Sequence, residues 1–120
     1  MQPQTIDQFI QLLNPIQQTY AITLRRLIHE AVPTVQEMIF ASVPAYYIPI
    51  EGETSFHKMP MIMMNFFPDH LNLFAAGNSL YQTELFIYKM TKKHTLQIDY
   101  HTPLLEEVLR SVFLVSLRRV

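Results

Sequence analysis

The chain has 120 residues, 49% of them hydrophobic and 16% charged, with nine Lys and Arg against ten Asp and Glu and a formal net charge of −1. That is material for one domain able to bury an apolar core, and its near-neutral charge gives no general attraction to nucleic acid or to an anionic membrane. The absence of Cys excludes disulfides, thiolate-held metal and thiol catalysis, and two glycines are too few for a phosphate loop, a dinucleotide fingerprint or a nucleophile elbow.

The N-terminus has no basic segment leading into an apolar stretch, so no signal peptide is expected. Thr5 followed by Gln8 forms a capping-box pattern ahead of Ile6, Phe9, Ile10 and Leu13, which predicts a short first helix. Asn14 and Pro15 restart the chain as N-cap and first helical residue. Behind them Ile16, Tyr20, Leu24, Leu27, Ile28 and Ala31 recur at helical spacing, with Pro33 closing the helix. Thr34 to Glu37 reads as a second capping box, opening a short helix through Met38 and Ile39.

After Pro44 the texture turns to strands. Ala45 to Ile50 reads as extended. Met59 to Phe67 reads as a strand apolar on both faces, hence central in a sheet covered by helices, and it is too short and interrupted to span a membrane. The Pro68-Asp69-His70 turn and Leu71 to Ala76 complete a hairpin. Asn78 and Ser79 cap an expected helix from about Leu80 to Met90. Thr95 to Tyr100 alternates as a half-buried strand, and Thr102-Pro103 opens a closing helix carrying Leu105, Val108, Leu109, Val112 and Phe113 inward. The order predicts one α+β domain over residues 1–120, a two-layer sandwich with helices on one side of a mainly antiparallel sheet of three to five strands.

None of the five serines sits in a glycine setting that would expose an activated hydroxyl, and no histidines are spaced as a metal-protease pair, so the expected class is not an enzyme. Asp99 and His101 lie two apart near a strand end, where one face of the strand would place both against a cation. Asp69 and His70 share a turn, in which the aspartate also fits an Asx bond. Glu51, Glu53 and His57 form the densest acid–imidazole patch, which a polar loop explains equally, and Glu37 is accounted for by its capping box. His57, Met59, Met61 and Met63 would share one strand face as a soft donor set or as adaptable core filling. Pro44, Tyr46 and Tyr47 beside the methionine strand mark a candidate ligand cleft.

The run Leu24 to Ile28 with Glu30 to Ile39, then Ser42-Val43-Pro44-Ala45-Tyr46, Pro60 to Phe67 with His70 to Leu73, and Thr95 to Tyr100 with Pro103 to Leu105 resembles the YdhG-like family of small bacterial proteins. The resemblance spans about Ile6 to Leu117 and rests on order and spacing. It implies a cytoplasmic, non-enzymatic, frataxin-like iron chaperone that hands iron to iron–sulfur or haem assembly proteins. Glu37, Glu51, Glu53, His57, Asp69, His70, Asp99 and His101 would then supply metal ligands. The alternative is a protein- or small-ligand-binding module with no metal role, and a small apolar-rich domain of this kind is compatible with a homodimer.

Overall fold

A computed structural model describes residues 2–118. Helices α1 (Ile6–Gln11) and α2 (Pro15–Ala31) are followed by strands β1 (Gln36–Phe40), β2 (Val43–Tyr47), β3 (Met61–Phe66) and β4 (His70–Phe74), then β5 (Lys89–Met90), β6 (Leu96–Asp99) and helix α3 (Glu106–Ser116). The six strands form one sheet in the order β1-β2-β3-β4-β6-β5, every neighbouring pair antiparallel. The α+β class is as expected, with β3 central, and the sheet is larger than expected because two segments read as helix join it.

The first two helices start where the sequence places them. Thr5 Oγ1 accepts from the Gln8 N–H, and Asn14 and Gln17 close a reciprocal capping box with Pro15 inside it. α2 ends at Ala31, two residues before Pro33.

Gln36 to Phe40 is a strand instead of the expected capped helix. Each of its residues pairs with β2, Gln36 against Tyr47 through Phe40 against Val43. A helix this short is marginal alone, and the Glu37 side chain, which the capping box required, is held instead by α2. The hairpin closes through Ala41 and Ser42 at φ 53° and 70°, the left-handed geometry of a two-residue turn that Asn-Gly normally supplies.

The expected helix from Leu80 to Met90 is a short 3-10 turn over Ala76–Leu80, a chain of turns, and then strand β5. Leu85 and Tyr88 are the buried residues of this stretch, whereas Leu80 and Phe86 are exposed. Tyr88 anchors it, its hydroxyl donating to the Pro103 carbonyl and accepting from the Leu105 N–H. Pairing of Lys89 with Gln97 and of Met90 with Leu96 then draws the chain out straight. α3 begins at Glu106, later than Thr102-Pro103, because Asp99 organises residues 99–102 as a turn by accepting from the His101 N–H and the Thr102 hydroxyl.

The core lies between the helices and one face of the sheet. Leu24, Leu27 and Ile28 of α2 and Leu109, Val112 and Phe113 of α3 meet Tyr46, Ile62, Met64, Leu71, Leu73, Leu96 and Ile98. Side chains alternate across a strand, so the register assigns Met38 and Phe40, Val43, Ala45 and Tyr47, Met61, Met63 and Asn65, His70, Asn72 and Phe74, and Gln97 and Asp99 to the opposite face. No α-helix covers that face among the described residues.

Candidate functional site

The uncovered face divides into an apolar and a polar half. Over β1 and β2 the loop 48–60 folds back, tied by the Ile48 N–H to the Pro60 carbonyl, and places the Phe56 ring edge-on against Phe40 and Tyr47 at 5.8 and 5.6 Å. Beyond this cover a groove of about 410 Å³ opens across β3 and β4, lined by Met61, Met63, Phe74, Ala75, Ala76, Ser79 and the turn residues Lys93, His94 and Thr95. Phe74 is 41% exposed within it. The 91–95 turn that walls the groove is fixed by the buried Asn78, whose Nδ2 donates to the Leu73 and His94 carbonyls at 3.1 and 2.9 Å. His94 itself stands at φ 64°.

The polar half brings Asp69, His70 and Asp99 into one hollow of about 310 Å³ with Ile87, Lys89 and Gln97. His70 lies directly across from Asp99 on the neighbouring strand. Its ring stacks on Phe67 at 4.9 Å, and its Nδ1 is 2.7 Å from Asp69 Oδ1. That contact holds the Asp69 carboxyl below the usual carboxylate range. Asp99 is also held low, first by the His101 N–H, so its oxygens serve their own turn. His101 is exposed beyond it.

The remaining candidate ligands lie apart. Glu37 faces the helices, where Arg25 grips it with two bonds of 2.7 Å and His29 Nε2 approaches at 2.6 Å. Burial raises its pKa, and the Arg25 and His29 contacts more than offset this, leaving the carboxyl below its ordinary range. Glu51 and Glu53 sit on the loop 48–60, Glu53 at 4.0 Å from the Lys58 ammonium. His57 is not in a strand with the methionines; it lies in the 3-10 turn Phe56–Lys58 with its ring on Phe40 at 5.6 Å. Among the described residues no three His, Asp or Glu side chains stand together closely enough to hold a metal ion.

The candidate cleft residues separate as well. Pro44 and Tyr46 are buried, Tyr46 against His29 on the helix side, where burial pushes its phenol well above the usual range. Tyr47, Met61 and Met63 are on the open face. The sequence reading missed Phe74, Lys93 and His94. Strand alternation links Phe74 to Met63 once the hairpin register is known, but the position of Lys93 and His94 depends on β5 and β6 pairing, which local pattern did not reveal. No helix among the described residues is long and apolar enough to cross a membrane. The chain matches no protein-family model, no curated protein and no solved structure.

Proposed function

We propose that this protein is a non-enzymatic binding module for small ligands, with the uncovered face of the sheet as its recognition surface. The observation that carries this reading is the groove over Met61, Met63 and Phe74, whose volume of about 410 Å³ falls among those of small-molecule sites, about 300–1,000 Å³. Thioethers adapt to ligands of different shape, and the groove floor stands on two strands at the middle of a six-stranded sheet, which gives it a rigid base. Titration of protein labelled with ¹³C at the methionine methyls, using decanol, decyltrimethylammonium and decanoate in turn, tests the reading. Movement of the Met61 and Met63 methyl signals with at least one probe supports it, and stationary signals with all three refute it.

A second reading is iron delivery, supported by the resemblance to the YdhG-like family and by the meeting of Asp69, His70 and Asp99 in one hollow. Hard iron prefers several oxygen donors with an occasional imidazole, and here Asp99 is committed to its turn and Glu37 to Arg25. The donor set therefore fits iron poorly without ligands from a partner such as an iron–sulfur or haem assembly protein. Anaerobic calorimetry with ferrous ion, and zinc and calcium as controls, decides it: binding weaker than about 100 μM, about −5.5 kcal/mol, ends this reading.

A further inference from the structure

The groove has a charged end that the apolar reading leaves unused. Its floor is Met61, Met63 and Phe74, and its wall at the 91–95 turn presents Lys93 and His94, with no acid among the lining residues. Lys92 precedes them in sequence. Neither lysine forms an ion pair among the described residues, whereas Arg25, Arg26 and Arg110 are engaged by carboxylates.

The turn is built to hold this position. The Thr91 N–H donates to the Thr95 carbonyl, the His94 N–H to the Thr91 carbonyl, and the Thr95 N–H to the Thr91 hydroxyl. His94 occupies a left-handed backbone conformation at φ 64°, which costs a non-glycine residue about 1 kcal/mol or more and persists only where surrounding bonds determine it. Asn78 supplies that determination: it is fully buried, and its Nδ2 clamps the His94 carbonyl to the end of β4 through Leu73.

We propose that the groove binds an aliphatic carboxylate, with the alkyl chain lying over Met61, Met63 and Phe74 and the carboxylate at the Lys93 and His94 rim. Two complementarities carry it. The thioether and phenyl floor removes an alkyl chain from water at about 0.8 kcal/mol per methylene. The unpaired cation at one end selects a single negative head, and the absence of an acid leaves no counterpart for a cationic head. This inference rests on the reading of the open face as a small-ligand site, and it adds the class of ligand and its orientation.

The probes are decanoate, decanol and decyltrimethylammonium, compared by the same methyl titration, with Met64 and Met90 as internal controls because both face the helix side of the sheet. Decanoate is expected to shift the Met61 and Met63 methyls with an affinity at least tenfold above decanol, about 1.4 kcal/mol, and decyltrimethylammonium to bind more weakly than decanol. K93E, an exposed substitution that leaves the core untouched, is expected to abolish the preference of decanoate over decanol, and K93R to retain it. Equal affinities for the three probes, or an unchanged preference in K93E, overturn the carboxylate assignment while the small-ligand reading stands. Stationary Met61 and Met63 signals with every probe overturn both. Sedimentation showing a dimer whose dissociation on dilution moves the Met61 and Met63 methyls also overturns the proposal, because the face then belongs to a second copy.

Discussion

Gly77 is the position where a single methyl group is expected to cost most. It lies in the 3-10 turn Ala76–Leu80, which packs against α3, and its N–H donates to Ser116 Oγ at 2.8 Å while Ser116 donates to the Val112 carbonyl at 2.7 Å. A Cβ added at Gly77 would stand 2.6 Å from the Val112 carbonyl oxygen and 2.9 Å from Ser116 Oγ. The first of these is backbone within a helix and cannot rotate away, so α3 and the turn must part. Overpacking of this kind costs about 1–3 kcal/mol, and stretching the Gly77–Ser116 bond adds about 0.5–1.5 kcal/mol, giving about 1.5–4.5 kcal/mol for G77A. A domain of this size has about 5–15 kcal/mol in total. Urea unfolding followed by circular dichroism is the assay, with a lowered midpoint and an unchanged slope expected. S116A removes the 2.9 Å contact but not the 2.6 Å one, so G77A/S116A is expected to cost less than the sum of the two single changes and still more than S116A alone. Replacing glycine in an unstrained, open position usually stabilises by about 0.4–1 kcal/mol through the unfolded chain. A G77A protein within about 0.5 kcal/mol of the parent would therefore refute the close approach.

Three further outcomes follow from other parts of the structure. A41N/S42G replaces two residues held at φ 53° and 70° with the pair this turn favours, and is expected to raise stability by about 1 kcal/mol after the added freedom of glycine in the unfolded chain is counted; an unchanged or lowered urea midpoint contradicts it. Glu37 has a lowered folded-state pKa, so its contribution is complete above the ordinary carboxylate range near pH 4.3 and is lost as pH falls through the folded value. E37Q is expected to cost about 1–3 kcal/mol at pH 7, with the gap from the parent closing as pH falls below the ordinary carboxylate range; a pH-independent gap is the opposing result. M64A opens a cavity in a fully buried site and is expected to cost about 2–5 kcal/mol, whereas M63A on the open face costs about 1 kcal/mol or less; equal costs from thermal unfolding would show that the outer face is packed as tightly as the inner one.

The residues that were legible in advance are those whose structure is decided by near neighbours in sequence. Thr5 with Gln8 and Asn14 with Pro15 and Gln17 make their caps within four residues, and α2 ends two residues before the proline that forbids its continuation. Thr34 to Glu37 carries the same local signal and forms no helix. Partners 3 to 11 residues on, from Val43 to Tyr47, offer Gln36 to Phe40 a full ladder, while Arg25 and His29 from α2 take the carboxylate. The candidate site divides in the same way. Met61 and Met63 share a face by simple alternation, and Asp69 and His70 are adjacent in sequence. That His70 should oppose Asp99, or that Lys93 and His94 should rim the methionines, requires the β4–β6 and β5–β6 pairings.

The sequence by itself determined the class of the molecule: an α+β domain with two N-terminal helices, a central apolar hairpin and a closing helix, because helical caps and alternating strands are written at short range. Only the tertiary structure decided that the sheet has six strands, that Tyr46 turns into the core while Tyr47 faces out, and that the acids are spread among ion pairs and turns. Those outcomes depend on which long-range partner each backbone edge and each charged group finds, and that is settled by burial and pairing across the whole chain. The same competition left one face of the sheet without an α-helix among the described residues, and so placed the methionines at a groove wall fixed by a buried asparagine.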